Sequence, residues 1–417
     1  MKLPLQGSVL APFRNRDFRF QWPADLATSW AFEMETIILG WYVLVETGSV
    51  FLLTVFVALQ HVGTLVAPMF GVMGDRIGQR NLLSAMRGLY AVLAIVLMVL
   101  AFTGNVSPTY VLFSAGIIGL VKPSDIGARA ALVGDVVPGS ELLGAMSIQR
   151  TTMDSARCVG ALVGAGLVAS LGMAWAYAVV ASLYLASLFL TLQIDARGVR
   201  ANAAVAVRQV SPWRDLKAGL AYVWSTPPLR AAMCLAFLLN LTAFPLMMGL
   251  MPYVAKEVHL ADQTWLSYLV ACTAGGALIG SILTSRRVGR IHPARTMLVF
   301  SVIWYALLLV FAHWPHPGSS LAVLALAGCA QSVSQIPMTT MLLRVSDEKF
   351  RGRVMGIRML CIYGTIPGLL AAGPLITAIG YPAMATLYAV IGALGALGVG
   401  MHWRAVLWQR NALANRR

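Results

Sequence analysis

The sequence predicts an all-α membrane protein with twelve transmembrane helices in two six-helix bundles. Hydrophobic residues make up 59% of its 417 residues and charged residues 11%, whereas soluble domains are about half apolar and about a quarter charged. Apolar stretches long enough to cross about 30 Å of hydrocarbon recur along almost the whole chain. Basic residues fall mainly between these stretches. Lipid is therefore the predicted solvent of most of the chain.

Turn-forming residues separate the predicted spans, which we place at residues 20–46, 51–74, 82–103, 108–131, 145–169, 172–194, 229–254, 264–285, 295–313, 319–343, 355–378 and 382–403. The predicted domains are an N-terminal bundle (1–194), a cytoplasmic linker (195–228), and a C-terminal bundle with a cytoplasmic tail (229–417). Pro212 suits the first turn of an interfacial helix in this linker. An early start to span seven is the alternative interpretation.

The net charge of +15 indicates membrane topology and not nucleic-acid binding. With the N terminus inside, basic residues such as Arg76, Arg80 and Arg87 collect in cytoplasmic segments, and only Lys256 falls in an outside loop. We therefore predict a multi-pass protein of the bacterial inner (plasma) membrane with both termini cytoplasmic. The five cysteines lie singly in apolar stretches, so we predict neither a metal site nor a cofactor.

Two loops recur at corresponding places in the two halves. Residues 137–144, before span five, resemble residues 345–352, before span eleven, at an offset of 208 residues. The loop after span two has a weaker counterpart after span eight, at residues 287–290. Transporter folds are commonly built from internal repeats, so this pattern favours a tandem duplication of six helices.

The loop between spans two and three carries the sharpest motif, which has the spacing GxxxDRxGxR and includes Gly71, Gly74, Asp75, Arg76, Gly78 and Arg80. Gly71 allows close approach of a neighbouring helix, and Gly78 permits a tight reversal. Asp75 is placed to cap the next helix or to form an ion pair. A plain basic loop is the alternative interpretation.

This motif resembles the signature of the major facilitator superfamily, where it acts as a gating latch that stabilises the outward-facing state. The resemblance covers nearly the whole chain, although Arg286 stands where the second-half copy would have its acid. Segments 13–19, 46–49, 123–138 and 351–356 resemble the subfamily of enterobactin exporters and macrolide-efflux proteins. That likeness implies proton-driven export of siderophores or drugs, and hence drug resistance.

Residues 157–166 are similar to the glycine-rich antiporter motif of such exporters. Ala161 stands where that motif usually has proline. Small residues at every fourth position also allow helices to pack closely. Both an antiporter role and plain helix packing therefore remain open for this segment.

Ionisable residues within the spans are concentrated in the first half. The helical period places Asp25, Ser29 and Glu33 on one face, while Glu35 points away from Glu33. Charged groups persist in membranes mainly along transport pathways. We predict that Glu33 or Glu35 exchanges protons beside an arginine partner; static ion pairs are the alternative. The proton-coupling candidates are Asp25, Glu33, Glu35, Asp125, Asp154, Arg129 and Arg157.

Polar and aromatic side chains near the middle of the spans are candidates for the lining of a substrate cavity. They are Trp30, Gln60, His61, Asn240, Gln331 and Gln335. A lone buried histidine is more often a packing residue, so His61 has that interpretation as well.

We therefore predict a secondary active transporter that exports an amphipathic small molecule by alternating access coupled to proton entry, and that is a monomer. No catalytic residue is predicted, because the chain lacks a Walker lysine loop, a zinc motif and a nucleophile elbow. One alternative is a facilitator that flips a lysophospholipid-type amphiphile. Another is a non-transporting membrane scaffold or sensor, which should carry a soluble domain or a degraded loop motif.

Overall fold

The computed structural model describes residues 11–138, 141–195, 212–286, 292–314, 316–347 and 350–407. Nearly all of these residues are helical, and no strand occurs among them. The predicted all-α fold is confirmed. The described residues pack as two compact units, one within residues 1–47 and 59–209 and the other within residues 48–58 and 210–417. Residues 48–58, predicted in the N-terminal bundle, thus belong to the second unit.

Six helices make up the first half of the chain: α1 (Arg16–Thr47), α2 (Val50–Leu59), α3 (Ala67–Ile77), α4 (Gln79–Phe102), α5 (Pro108–Val136) and α6 (Leu142–Leu192). A 3₁₀ turn, Val62–Leu65, breaks the second predicted span between α2 and α3. Pro108 occupies the first turn of α5, where a missing N–H costs nothing, and Ser107 caps that helix.

The helix α6 contains two predicted spans, which meet at Gly172. The backbone of Gly172 has φ 80° and ψ 171° inside an otherwise helical run of 51 residues. Glycine reaches such a positive φ without a steric penalty because it has no Cβ. A single residue therefore makes the turn between the two arms of α6.

The second half contains α7 (Pro212–Ser225), α8 (Pro227–Phe244), α9 (Gln263–Arg286), α10 (Pro293–His313), α11 (Pro317–Val345), α12 (Arg351–Leu360), α13 (Thr365–Ile379) and α14 (Tyr381–His402). Two π-helical turns, Pro245–Gly249 and Val254–Val258, extend the path of α8. A 3₁₀ turn, Cys361–Gly364, joins α12 to α13. Between α13 and α14, Gly380 has φ 79° and ψ 162°.

The linker contains a separate helix, α7. The extended backbone of Thr226 divides it from α8. Tyr222 of α7 stacks on Phe350 with ring centroids 4.3 Å apart, and its hydroxyl accepts a hydrogen bond from the Asp347 amide at 3.1 Å. The helix predicted in the linker is thus distinct from span seven and packs beside the start of α12.

Among the described residues, nine helices are long and apolar enough to cross a membrane. One of them, Gly144–Leu192, contains both spans five and six. Span one corresponds to α1, which carries five acids, and span two to the broken α2–α3 segment. These helices are consistent with twelve crossings.

Close packing between α1 and α6 positions the acidic residues of the first unit. A Cβ atom at Gly160 would lie 2.9 Å from Glu33 Cβ, and one at Gly164 would lie 2.9 Å from Met34 Cα. These distances are shorter than van der Waals contact, so glycine is required at both positions for this approach. The glycine-rich segment predicted from the sequence therefore lies directly against the charged part of α1.

Candidate functional site

Four charged side chains from three helices form a buried charge cluster, which comprises Asp25, Arg87, Asp125 and Arg129. Arg87 Nη2 pairs with Asp25 Oδ1, and Arg129 Nη2 pairs with Asp125 Oδ2. Arg129 Nε also lies 3.8 Å from Asp25 Oδ1. Each of these side chains is at most 6% exposed. Two carboxylates therefore balance two guanidinium groups away from solvent.

Neutral groups hold the arginines of this cluster in place. Arg129 Nη1 donates to Ser29 Oγ at 2.9 Å and to the Asp25 carbonyl at 3.2 Å. Arg87 Nη1 donates to Thr191 Oγ1. Arg87, which the sequence pattern groups with the cytoplasmic basic residues, has a fully buried side chain beside Asp25. A count of basic residues at helix ends does not reveal a partner on another helix.

The remaining predicted ion pairs are more exposed. Arg157 Nε lies 3.7 Å from Glu33 Oε1, and both side chains are partly exposed. Arg150 Nε donates to Asp154 Oδ2 at 3.0 Å, with the Arg150 side chain largely in solvent or lipid. Glu33 and Asp154 therefore belong to separate ion pairs and not to the buried charge cluster.

Glu35 has a different environment from Asp25 and Asp125, the other buried acids among the described residues of the first unit. Its side chain is buried, and Tyr184 Oη donates to Oε2 at 2.8 Å. Tyr177 Oη lies 3.4 Å from Oε1. No basic side chain in the described part of the chain makes an ion pair with Glu35. Neutral phenols therefore hold this carboxyl.

Lys122 lies near the middle of α5 and also has neutral contacts. Its Nζ donates to Gln60 Oε1 at 3.3 Å and lies 4.8 Å from the centroid of the Phe32 ring. Thr36 Oγ1 donates to the same oxygen of Gln60 at 3.2 Å. The predicted cavity residue Gln60 thus connects α1 to α5.

The other two cavity candidates in the first unit lie near α2 and α6. Trp30 has a buried indole N–H without a hydrogen-bond partner, and its backbone lies against Gly160. His61 is partly buried where α2 gives way to the 3₁₀ turn. Neither ring contacts the buried charge cluster in any described interaction.

The cavity candidates of the second unit contact neutral or basic groups. Asn240 Oδ1 accepts from Thr365 Oγ1 at 3.2 Å, which joins α8 to α13. Gln335 Oε1 accepts from Arg358 Nη2 at 3.0 Å, which joins α11 to α12. Gln331 is partly buried on α11, one turn before Gln335.

The loop motif between α3 and α4 forms a tight reversal. Gly78 has φ 89° and ψ 138° and lies between the two helices. Arg76 is exposed, while Arg80 donates to the Leu192 carbonyl at the end of α6. Gly74 packs against the Gln79 side chain. The side chain of Asp75 and the surroundings of Gly71 lie outside the described part of the structure.

The described residues contain no group of three histidine, cysteine or acidic side chains that could hold a metal ion. None of the five cysteines forms a disulfide bond.

Comparison with known proteins places this chain in a family. The model of the Major Facilitator Superfamily matches residues 26–364 and 233–412. The chain belongs to the Major Facilitator Superfamily. It is accordingly a multi-pass membrane transporter.

Curated relatives of this superfamily member include the enterobactin exporter EntS of Escherichia coli O1:K1 / APEC and that of Citrobacter koseri. Each is 25% identical over 232 residues, which cover 56% of this chain and 53% of the relative. The match thus spans about half the length of these relatives.

Solved structures similar to this superfamily member cover nearly the whole chain. The nucleoside transporter NupG superposes with a TM-score of 0.78 at 11% identity, over 93% of this chain and 99% of its own. A D-xylose-proton symporter superposes with a TM-score of 0.70 at 12% identity, over 92% of this chain and 96% of its own. At such low identity these two structures show the fold alone.

Sequence reasoning missed two tyrosines that surround Glu35. Tyr177 and Tyr184 are seven residues apart, a spacing that places both on one face of an apolar helix. A phenol on such a face needs a hydrogen-bond partner when it is buried. That spacing was the one signal in the sequence, but it does not indicate which helix carries the partner.

Proposed function

We propose that this transporter exports an amphipathic small molecule, such as a siderophore or drug, in exchange for protons, and that Glu35 carries the proton. The observation that supports this proposal is that the buried carboxyl of Glu35 contacts two phenols and makes no ion pair among the described residues. The similarity to enterobactin exporters supports the direction and the substrate class. Both termini are proposed to be cytoplasmic, and the transporter is proposed to be a monomer.

The cost of adding a proton differs among the buried acids. Protonation of Asp25 or Asp125 would leave Arg87 or Arg129 without its counter-ion, and a buried charge without a partner costs several kcal/mol. Protonation of Glu35 breaks no described ion pair, because the side chains in contact with its carboxyl are the phenols of Tyr177 and Tyr184. Glu35 can therefore gain and lose a proton while the buried charge cluster stays intact.

The other predicted residues have supporting roles in this proposal. Arg157 holds Glu33 on the adjacent face of α1, so Glu33 is proposed to respond to the substrate and not to carry the proton. The loop from Gly71 to Arg80 is proposed to act as the cytoplasmic gating latch. Asp154 is proposed to brace the start of α6 through Arg150.

The test uses proteoliposomes with a panel of siderophores and amphipathic dyes, with and without an imposed proton gradient. We expect the gradient to drive accumulation of at least one compound. Glu35→Gln should lower gradient-driven transport by about tenfold or more while exchange without a gradient persists, because the amide mimics the protonated acid. Glu33→Gln is the matched control and should retain proton coupling.

Two outcomes would contradict the proposal. Full gradient-driven transport by Glu35→Gln would remove Glu35 from the proton path. Gradient-independent movement that lysophospholipid inhibits and cationic dye does not would favour the lipid facilitator instead.

A further inference from the structure

The first unit contains a cation that no acid neutralises through direct contact. Lys122 Nζ contacts the Gln60 oxygen and the face of the Phe32 ring, which are both neutral groups. By contrast, Arg87, Arg129 and Arg157 each pair with an acid. Charged groups inside membranes are costly and usually have a partner. The surroundings of Lys122 therefore need an explanation.

The nearby charged groups are already engaged with other residues. Glu33, Glu35, Arg157 and Arg129 all lie close enough to influence Lys122 electrostatically. However, Glu33 pairs with Arg157, and Glu35 accepts from its two tyrosines. No acid in the described residues lies in ion-pair contact with Lys122.

Gln60 adds a donor that has no acceptor. Its Oε1 accepts from both Lys122 and Thr36, and this fixes the orientation of the amide, since an ammonium group can only donate. The amide Nε2 is consequently turned away from these donors, and it is buried without a hydrogen-bond partner. A buried donor that lacks an acceptor costs about 1–3 kcal/mol.

The groups with spare capacity at this site are both donors. They are the ammonium of Lys122, whose described contacts are neutral, and the buried amide N–H of Gln60. A ligand that satisfies them must supply acceptor atoms, and a negative charge would also neutralise Lys122.

We propose that Lys122 and Gln60 bind an anionic group of the transported molecule, with Phe32 in contact with its apolar part. This inference rests on the proposed transport of an amphipathic molecule and specifies its charge. The ligand is then an amphipathic anion, such as one that carries a carboxylate, sulfonate or ionised phenol. Its negative group takes the place of the missing counter-ion.

Two fluorescent probes with the same ring system separate charge from apolar contact. 8-Anilinonaphthalene-1-sulfonate is an anion, and N-phenyl-1-naphthylamine is its neutral counterpart. Their dissociation constants are measured with purified protein in phosphatidylcholine nanodiscs without a proton gradient, after subtraction of empty nanodiscs. Because this lipid has no net charge, differences between variants report on the protein.

Lys122→Gln should weaken binding of the sulfonate probe by about tenfold and leave binding of the neutral probe within about twofold. Lys122→Arg, which keeps the charge, should stay close to wild type. Lys217→Gln makes the same chemical change at an exposed lysine of α7 and should alter neither probe. Unchanged sulfonate binding in Lys122→Gln, or equal losses for both probes, would overturn the inference.

A second variant covers the case in which Lys122→Gln does not fold. Gln60→Met keeps the lysine and removes the unused amide donor, so it should weaken the sulfonate probe by about threefold and spare the neutral probe. Unchanged sulfonate binding by Gln60→Met would also contradict the inference. Neither assay uses a gradient, so proton-coupled transport can persist or fail independently of this site.

Discussion

The two halves of the chain have glycines at equivalent turns and helix contacts, but they differ in buried charge. Gly172 and Gly380, 208 residues apart, have almost the same backbone angles and occupy corresponding turns. Gly160 lies against Glu33 and Gly368 lies against Leu241, so both contacts follow the same offset. The duplication inferred from two loops thus extends to helix contacts within each half.

The charged residues do not follow that offset. It relates Asp25 to Met233, Glu35 to Ala243 and Arg129 to Pro337. Buried polar contacts of the second unit include neutral pairs such as Thr242 with Tyr305, at 2.7 Å. Helix packing was thus retained in both copies, whereas ionisable chemistry is concentrated in the first.

The largest expected effect is the loss of Arg87. Arg87→Ala leaves Asp25 without its main partner and should lower the free energy of unfolding by about 3–5 kcal/mol. Thermal denaturation in detergent measures this loss of stability. Arg295, which is 208 residues later, is exposed at the start of α10, so Arg295→Ala is the matched control and should cost about 0.5 kcal/mol or less. Equal effects at both positions would contradict the asymmetry between the halves.

The next largest effect on stability concerns the glycines that allow helices to pack closely. A methyl group at Gly164 would meet the α1 backbone at Met34, whereas nothing lies within 4 Å of one at Gly166. Gly164→Ala should therefore lower the free energy of unfolding by about 1–3 kcal/mol. Gly166→Ala, two residues along the same helix, should be close to neutral. Similar stability of the two variants would show that α1 and α6 are not in tight contact.

A smaller effect is expected at the tyrosine beside Glu35. Tyr184→Phe removes the shorter of the two hydrogen bonds to this carboxyl and should cost about 1–2 kcal/mol of stability. It should also shift the pH dependence of transport, because the hydroxyl contacts the proposed proton carrier. Tyr305→Phe in the second unit removes a comparable bond to Thr242 and should leave that pH dependence unchanged. Identical pH dependence of transport in the two variants would show that Tyr184 does not contribute to proton coupling.

The smallest effect is expected in the neutral pairs of the second unit. Ser334→Ala removes a bond to Ser301 at 2.7 Å and should cost about 0.6 kcal/mol, the average for such bonds within membranes. Transport in proteoliposomes should not change. A large loss of gradient-driven transport would assign chemistry to the second unit and weaken the comparison.

The sequence was sufficient to locate the helices but not to identify which helices contact one another. Apolar length located the spans, and helical periodicity correctly placed Glu33 and Glu35 in different directions, one beside Arg157 and the other beside Tyr184. The same periodicity does not say which helix lies opposite a given face. The pairing of Asp25 with Arg87 therefore required the structure.

The single-residue turn at Gly172 has a consequence for how the protein is made. No polar loop separates the two arms of α6, so the ribosome delivers them to the membrane as one helical hairpin. The first arm contains Arg150, Asp154 and Arg157, while the second arm has no charged residue between Gly172 and Leu192. We expect insertion of the apolar second arm to bring the charged first arm into the bilayer during synthesis, before either arm of α6 packs against α1.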